Sequence, residues 1–212
     1  MSSVEMADDI PMFPLGTVLF PGEYLPLHVF EPRYQELVRA CLLGGSPEFG
    51  VALIERGSDV GGGDARFDAG CVARIIAAAH LDEGRWAIGT VGTRRIRVTR
   101  WLPDAPYPRA EVDHWDDPPP TPDAPGCRAA TVAALRRVLA LAAELGEAVA
   151  DATTPVDDDP VLAGYQMAAL APFGPLDKLA LLSAPTPDAR LELLGGLLAE
   201  EAAVLARRLE GG

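Results

Sequence analysis

Residues Ile10–Leu43 read IPMFPLGTVLFPGEYLPLHVFEPRYQELVRACLL, two proline-punctuated apolar segments followed by a marked helix. The apolar residues of MFPL and of YLPLHVF predict short strands, and the GTVLFPG between them an irregular connection. Pro11, Pro14, Pro21 and Pro26 have no N–H to donate to a ladder, so these strands are expected at sheet edges or bent. At Glu31-Pro32 the period changes. Proline at a first helical position loses nothing, because that N–H has no intrahelical partner. Tyr34, Leu37, Val38, Cys41 and Leu42 follow at helical spacing, and Gly44-Gly45 ends the run. A small sheet closed by a packed helix is the expectation.

The chain up to Trp115 continues in the same β-rich manner. Phe49–Arg56 predicts a short apolar strand, and Gly57–Asp64 (GSDVGGGD) a flexible polar loop. Val72–Leu81 and Arg85–Val91 predict a hairpin around Asp82-Glu83-Gly84. Thr93–Leu102 alternates, with Ile96, Val98 and Leu102 on one face and Arg95, Arg97 and Thr99 on the other. Arg100 interrupts the apolar face, which predicts a bulge or strand end there. Tyr107–Trp115 predicts a final strand.

Asp116–Pro125 (DDPPPTPDAP) is incompatible with helix or central strand and reads as a stiff connector. Beyond it Val132, Leu135, Val138, Leu139, Ala142 and Leu145 form an apolar stripe at helical spacing. A helix is expected to open at Pro160 behind Asp157–Asp159, whose charge suits a helix N-terminus. Pro172 and Gly174-Pro175 end it and leave room for a short helix over Leu176–Leu182. Thr186-Pro187 caps a last helix carrying Leu191, Leu194, Leu198 and Leu205, with Gly195-Gly196 as a candidate kink. The predicted organisation is a β domain over 1–117, a Pro-rich connector over 118–126 and a helical domain over 127–212.

Bulk properties exclude several classes. The chain has 212 residues, 49% of them apolar, and a formal net charge of −13. That size buries about 70% of the unfolded surface, so a core needs no disulfide or metal. The acidity opposes nonspecific binding to nucleic acid or to anionic lipid. No apolar run reaches the roughly 18 residues of a membrane span, and MSSVEMADDIP lacks the basic and apolar regions of a secretory signal. Cys41, Cys71 and Cys127 are odd in number with no CxxC pair, which fits reduced thiols in a cytoplasmic protein.

FPLGTVLFPGEYLPLHVFEPRY (13–34), FGVALIER (49–56) and VARIIAAAHLDEGRWAIGTVGTRRIRV (72–98) closely resemble, in this order, the Lon-type N-terminal domain family. The resemblance covers Ile10 to Trp115, and the helical tail is similar to that of stand-alone bacterial members. It implies an α+β fold, a β-rich PUA-like pseudobarrel followed by a C-terminal helical bundle. It also implies engagement of protein substrates, the role of this domain at the front of Lon protease. Fold alone does not fix activity, so the residues carry the question.

Proteolytic machinery is not legible. The phosphate-cradling GxxxxGK[ST] loop is missing, and the only lysine, Lys178, stands five residues from Ser183, a spacing that does not bring two side chains together on one helix. His28, His80 and His114 show no metal-ligand spacing, and His28 in LPLHVF reads as a packed, hydrogen-bonded side chain. No catalytic residue, metal site or cofactor is expected. Arg94, Arg95, Arg97 and Arg100 read as a solvated, salt-bridged strand face in preference to an RNA-reading one, since no aromatic ladder accompanies them.

Phe30-Glu31-Pro32-Arg33-Tyr34 is the candidate site. Its structural reading is a lock between strand and helix, with Phe30 packed under the helix and Arg33 paired with Glu36 or a neighbouring carboxylate. Its functional reading is a groove for an extended or unfolded peptide, with Phe30, Glu31, Arg33, Tyr34, Trp86 and Trp101 as peptide-binding candidates. The expectation is therefore a non-enzymatic module for unfolded or degron-bearing polypeptides. An RNA-binding PUA-like protein, and a small-molecule sensor with its site between barrel and helices, are the alternatives.

Overall fold

The computed structural model describes residues 8–56 and 65–211. The expected Gly57–Asp64 loop lies outside the described residues. The chain divides into two compact units, with the boundary between Asp116 and Asp117.

The first unit holds β1 (Asp8–Leu15), β2 (Tyr24–Val29), α1 (Pro32–Leu43), β3 (Glu48–Arg56), β4 (Ala65–His80), a 3-10 turn at Asp82–Gly84, β5 (Trp86–Leu102) and β6 (Arg109–His114). These make one six-stranded sheet in the order β2-β5-β4-β3-β1-β6, and β6 also pairs with β5. That extra pairing closes five strands into a ring. Among the described residues β2 is left outside this ring and pairs with β5 alone.

Two expectations about strands are corrected. Of the two proline-bearing strands expected at edges or bent, β2 lies at an edge. β1 lies instead inside the strand order, with Asp8–Pro11 paired to β6 and Met12–Leu15 paired in parallel to β3. Each half of β1 has one ladder partner, so the demand that its prolines fail to meet is halved. β5 is one continuous strand, not two, and runs straight through Gly92. A Cβ on Gly92 would stand 2.1 Å from the Phe20 carbonyl oxygen, so the glycine admits a crossing backbone and does not break the strand. The expected irregularity at Arg100 is present as a register shift between Val98 and Arg100.

Alternation along the central strands sends side chains to two buried faces. Phe13, Phe49, Val51, Cys71 and Ile88 join one core cluster, while Met12, Ala52, Val72, Ile96 and Val112 join another. Double burial explains why these strands read as near-continuous apolar runs. α1 covers the first cluster with Tyr34, Leu37, Val38 and Cys41, each worth about 1.5–3 kcal/mol of burial for the large side chains. Leu42, expected on that face, is exposed. Arg95, expected on a solvated face, is 2% exposed and lies under the Trp115 ring at 4.4 Å. An aromatic shelf thus replaces the water the guanidinium gives up.

The second unit holds α2 (Ala124–Glu144), α3 (Pro160–Leu170), α4 (Pro175–Leu182) and α5 (Pro187–Glu210). α2 starts inside the stretch expected to be pure connector, because proline in a first turn does not interrupt a helix. Asp159 caps α3 by accepting from Val161 N (2.7 Å) and Leu162 N (3.2 Å), and Thr186 caps α5 by accepting from Ala189 N (3.1 Å). Leu135, Val138 and Leu139 of α2 and Leu191, Leu194 and Leu198 of α5 are buried, with α2 packed along α5. At the centre is a polar node. The fully buried Arg190 donates to Asp117 (2.9 Å), to the Leu181 carbonyl (3.1 Å) and to the Tyr165 hydroxyl (3.1 Å), and Tyr165 donates to Asp117.

Candidate functional site

β2 presents two unlike faces. Leu25, Leu27 and Val29 turn toward the core, while Tyr24, Pro26 and His28 alternate with them and are exposed. Tyr24 is 58% exposed and lies across Gly89 of β5, where a Cβ would come within 2.8 Å of its hydroxyl. The glycine keeps the sheet low enough for the ring to lie flat. Ile76 of β4, next to the residue that pairs with Gly89, is 59% exposed. Tyr24, Pro26 and Ile76 make an apolar outer surface that the sequence reading missed.

The chain then turns into α1. Phe30 is 55% exposed, not packed under the helix as expected. Gln35 Nε2 donates to the Phe30 carbonyl (2.9 Å) and fixes the corner from the helix side. Arg33 pairs with Glu31 (3.1 Å), not with Glu36, and stacks its guanidinium over the Tyr34 ring at 4.4 Å. Tyr34 is 2% exposed and stacks on Phe13 with centroids 4.0 Å apart. It is part of the core and supports the corner from inside. Between β2 and the start of α1 is a cavity of about 240 Å³, floored by Phe13, Leu15, Leu27, Val29 and Tyr34 and rimmed by His28 and Phe30.

Of the candidate residues, Phe30, Glu31, Arg33 and Tyr34 form this one corner. Trp86 stands near it, opposite Val29 in the β2–β5 register, half-buried with its ring edge-on to His80 at 4.8 Å. Trp101 does not join them. It packs against the other core cluster with Arg66 over its ring at 4.8 Å. His28, expected to be packed, is exposed because it falls on the outward parity of an edge strand.

The arginine strand is taken up internally. Arg94 donates to Glu48 (2.8 Å), which also holds Arg74 (2.9 Å), and Arg100 pairs with Glu111. Arg97 lies over Trp115 at 4.1 Å. Burial pushes the Glu48 carboxyl up, but the hydrogen bonds and charges of Arg94 and Arg74 outweigh it and hold the group below the usual range. A second cavity, of about 510 Å³, is bordered by the Glu48–Arg94 and Asp9–Arg109 pairs together with Asp8, whose carboxylate lies against His114. The Cys41 thiol at its border is pushed up to about 11 by burial, and Cys71 to about 12, the opposite of an activated nucleophile. Lys178 donates its Nζ to the Ala169 carbonyl (3.0 Å). No cluster of metal-ligating side chains occurs among the described residues, and no helix among them is long and apolar enough to cross a membrane.

Known proteins agree with this architecture. Residues 9–200 match the family model described as the ATP-dependent protease La (LON) substrate-binding domain. Lon protease 2 of Myxococcus xanthus is 31% identical over 110 residues, 51% of this chain and 13% of that protein. Lon protease of Anaeromyxobacter dehalogenans is 26% identical over a stretch of the same length. The chain thus aligns with a small part of these much longer relatives. Among solved structures, a Lon N-terminal domain protein from Xanthomonas campestris superposes with a TM-score of 0.62 at 31% identity, covering 88% of this chain and 96% of that one. The N-terminal domain of a Mycobacterium avium complex Lon protease gives a TM-score of 0.65 at 17% identity, a likeness of fold, over 91% and 98% of the two chains. With a six-stranded sheet, a helical second unit and a family match over nearly its whole length, the chain belongs to the Lon substrate-binding domain family.

Proposed function

We propose that this protein is a non-enzymatic module that binds unfolded or degron-bearing polypeptides. The observation that carries this reading is the apolar surface of Tyr24, Pro26, Ile76 and Phe30, exposed on the frame of a family named for substrate binding. Exposed aromatic and aliphatic side chains grouped on one surface mark a place where another polypeptide can bury apolar area. The Glu31–Arg33 pair, with the Arg33 guanidinium over the Tyr34 ring, holds the corner, and Glu31 and Tyr34 line the cavity beside it.

The test is fluorescence anisotropy of a labelled, permanently unfolded protein titrated with this chain, with the folded form of the same protein alongside. Saturable binding to the unfolded form alone is expected. Replacing Tyr24 and Ile76 together by serine should weaken it by about tenfold or more. Absence of binding to the unfolded form up to high micromolar concentration would remove the reading.

A further inference from the structure

We infer that the bound polypeptide adds to the sheet as a strand on the outer edge of β2, with one apolar side chain inserted into the cavity beside α1. This rests on the polypeptide-binding reading above and specifies its geometry.

Backbone direction comes first. The Glu23 carbonyl accepts from Gly92 N (2.9 Å) and the Leu25 carbonyl accepts from Thr90 Oγ1 (2.8 Å), so both point at β5. By alternation, the carbonyls of Tyr24, Pro26 and His28, with the N–H groups of Tyr24 and His28, point to the opposite edge. No strand pairs with that edge among the described residues. It offers an extended chain both donors and acceptors, the requirement for strand addition.

Side-chain direction agrees. On an added strand, a residue beside Leu27 or Val29 turns to the same face as they do. That face holds the 240 Å³ cavity, floored by Phe13, Leu15 and Tyr34 with Leu27 and Val29. Its size falls below the roughly 300–1,000 Å³ of small-molecule sites, and suits a single leucine, methionine or phenylalanine side chain.

Charge selects the occupant further. A net charge of −13 repels acidic segments and draws in neutral or basic ones. Two copies of β2 pairing edge to edge are disfavoured, because each would oppose the other with the missing N–H of Pro26. The occupant is therefore an extended, neutral-to-basic segment of another polypeptide with one large apolar residue.

The test uses the intact protein and a synthetic peptide of about eight residues, the length of a strand, with alternating leucine and threonine and an arginine at each end. Two derivatives carry N-methyl groups on alternate amides, one set for each parity. Methylation of the sheet-facing parity should weaken binding at least about tenfold, since two or more hydrogen bonds are lost, while the other parity stays within about threefold. Replacing the central leucine by alanine should also weaken binding about tenfold. If the parent binds and neither parity matters, strand addition is overturned while polypeptide binding stands. If neither the parent peptide nor the unfolded protein binds, both fall together. Concentration-dependent dimerisation in sedimentation, reduced by Tyr24→Asp, would assign the edge to a second copy and overturn the proposal.

Discussion

Phe30 and Tyr34 lie four positions apart around one corner and have opposite fates. Phe30 is half in water; Tyr34 is sealed between Phe13 and Arg33. Phe30→Ala should change stability by no more than about 0.5 kcal/mol, as at other exposed positions. Tyr34→Ala should cost about 3–5 kcal/mol by opening a cavity in the core. Urea unfolding followed by tryptophan fluorescence separates them, and equal losses would mean that Phe30 is buried in solution. Arg190 poses a different residue-scale problem. Arg190→Ala leaves the Asp117 carboxylate beside Tyr165 without its cation and should cost about 3–5 kcal/mol. Replacing the set together, Arg190→Met with Asp117→Asn and Tyr165→Phe, should recover most of that loss. A triple variant as unstable as the single one would show that packing of the arginine stem, not charge, holds the node.

At the scale of elements, one carboxylate clamps three strands. Glu48 opens β3 and holds Arg74 of β4 and Arg94 of β5. Its folded pKa lies below the ordinary value, so its ionised form adds stability above the unfolded pKa, and that contribution fades as pH falls through the folded one. Wild type and Glu48→Gln should therefore differ most above the ordinary glutamate pKa of about 4.3 and converge as pH falls progressively below it. A constant gap in thermal midpoint across that range would deny the clamp. The sequence announced the ends of helices well, because Pro32, Pro160, Pro175 and Pro187 mark first turns by a local rule. It announced strand partners poorly. Gly92 looked like a break because the Phe20 backbone that crosses it is remote in sequence, and Arg95 looked solvated because Trp115, which covers it, belongs to another strand end. The candidate corner was legible as a strand-to-helix lock. Which of its side chains face water depended on β2 pairing on one side only, and no local pattern carries that. Trp101 drew notice by residue type alone, and type does not say which core a ring joins.

For the molecule as a whole, charge and apolar contact act over different distances, and salt separates them. Acidic residues number 31 against 18 basic ones, and most of the arginines near the sheet already have carboxylate or aromatic partners. On the polypeptide-binding reading proposed above, a client would meet the unbalanced negative charge at long range, and the exposed Tyr24 and Ile76 side chains and the β2 edge on contact. Screening at about 0.5 M salt shortens the first range to roughly 4–5 Å and leaves burial in place. Arginine-flanked and glutamate-flanked versions of one apolar peptide should differ in affinity by about tenfold or more at about 50 mM salt. The difference should shrink to about twofold at about 0.5 M, with the basic version weakening and the acidic one gaining. Anisotropy titrations at the two salt concentrations decide it. If the two peptides bind alike at low salt, the acidity serves solubility and the surface selects its clients by shape and burial alone.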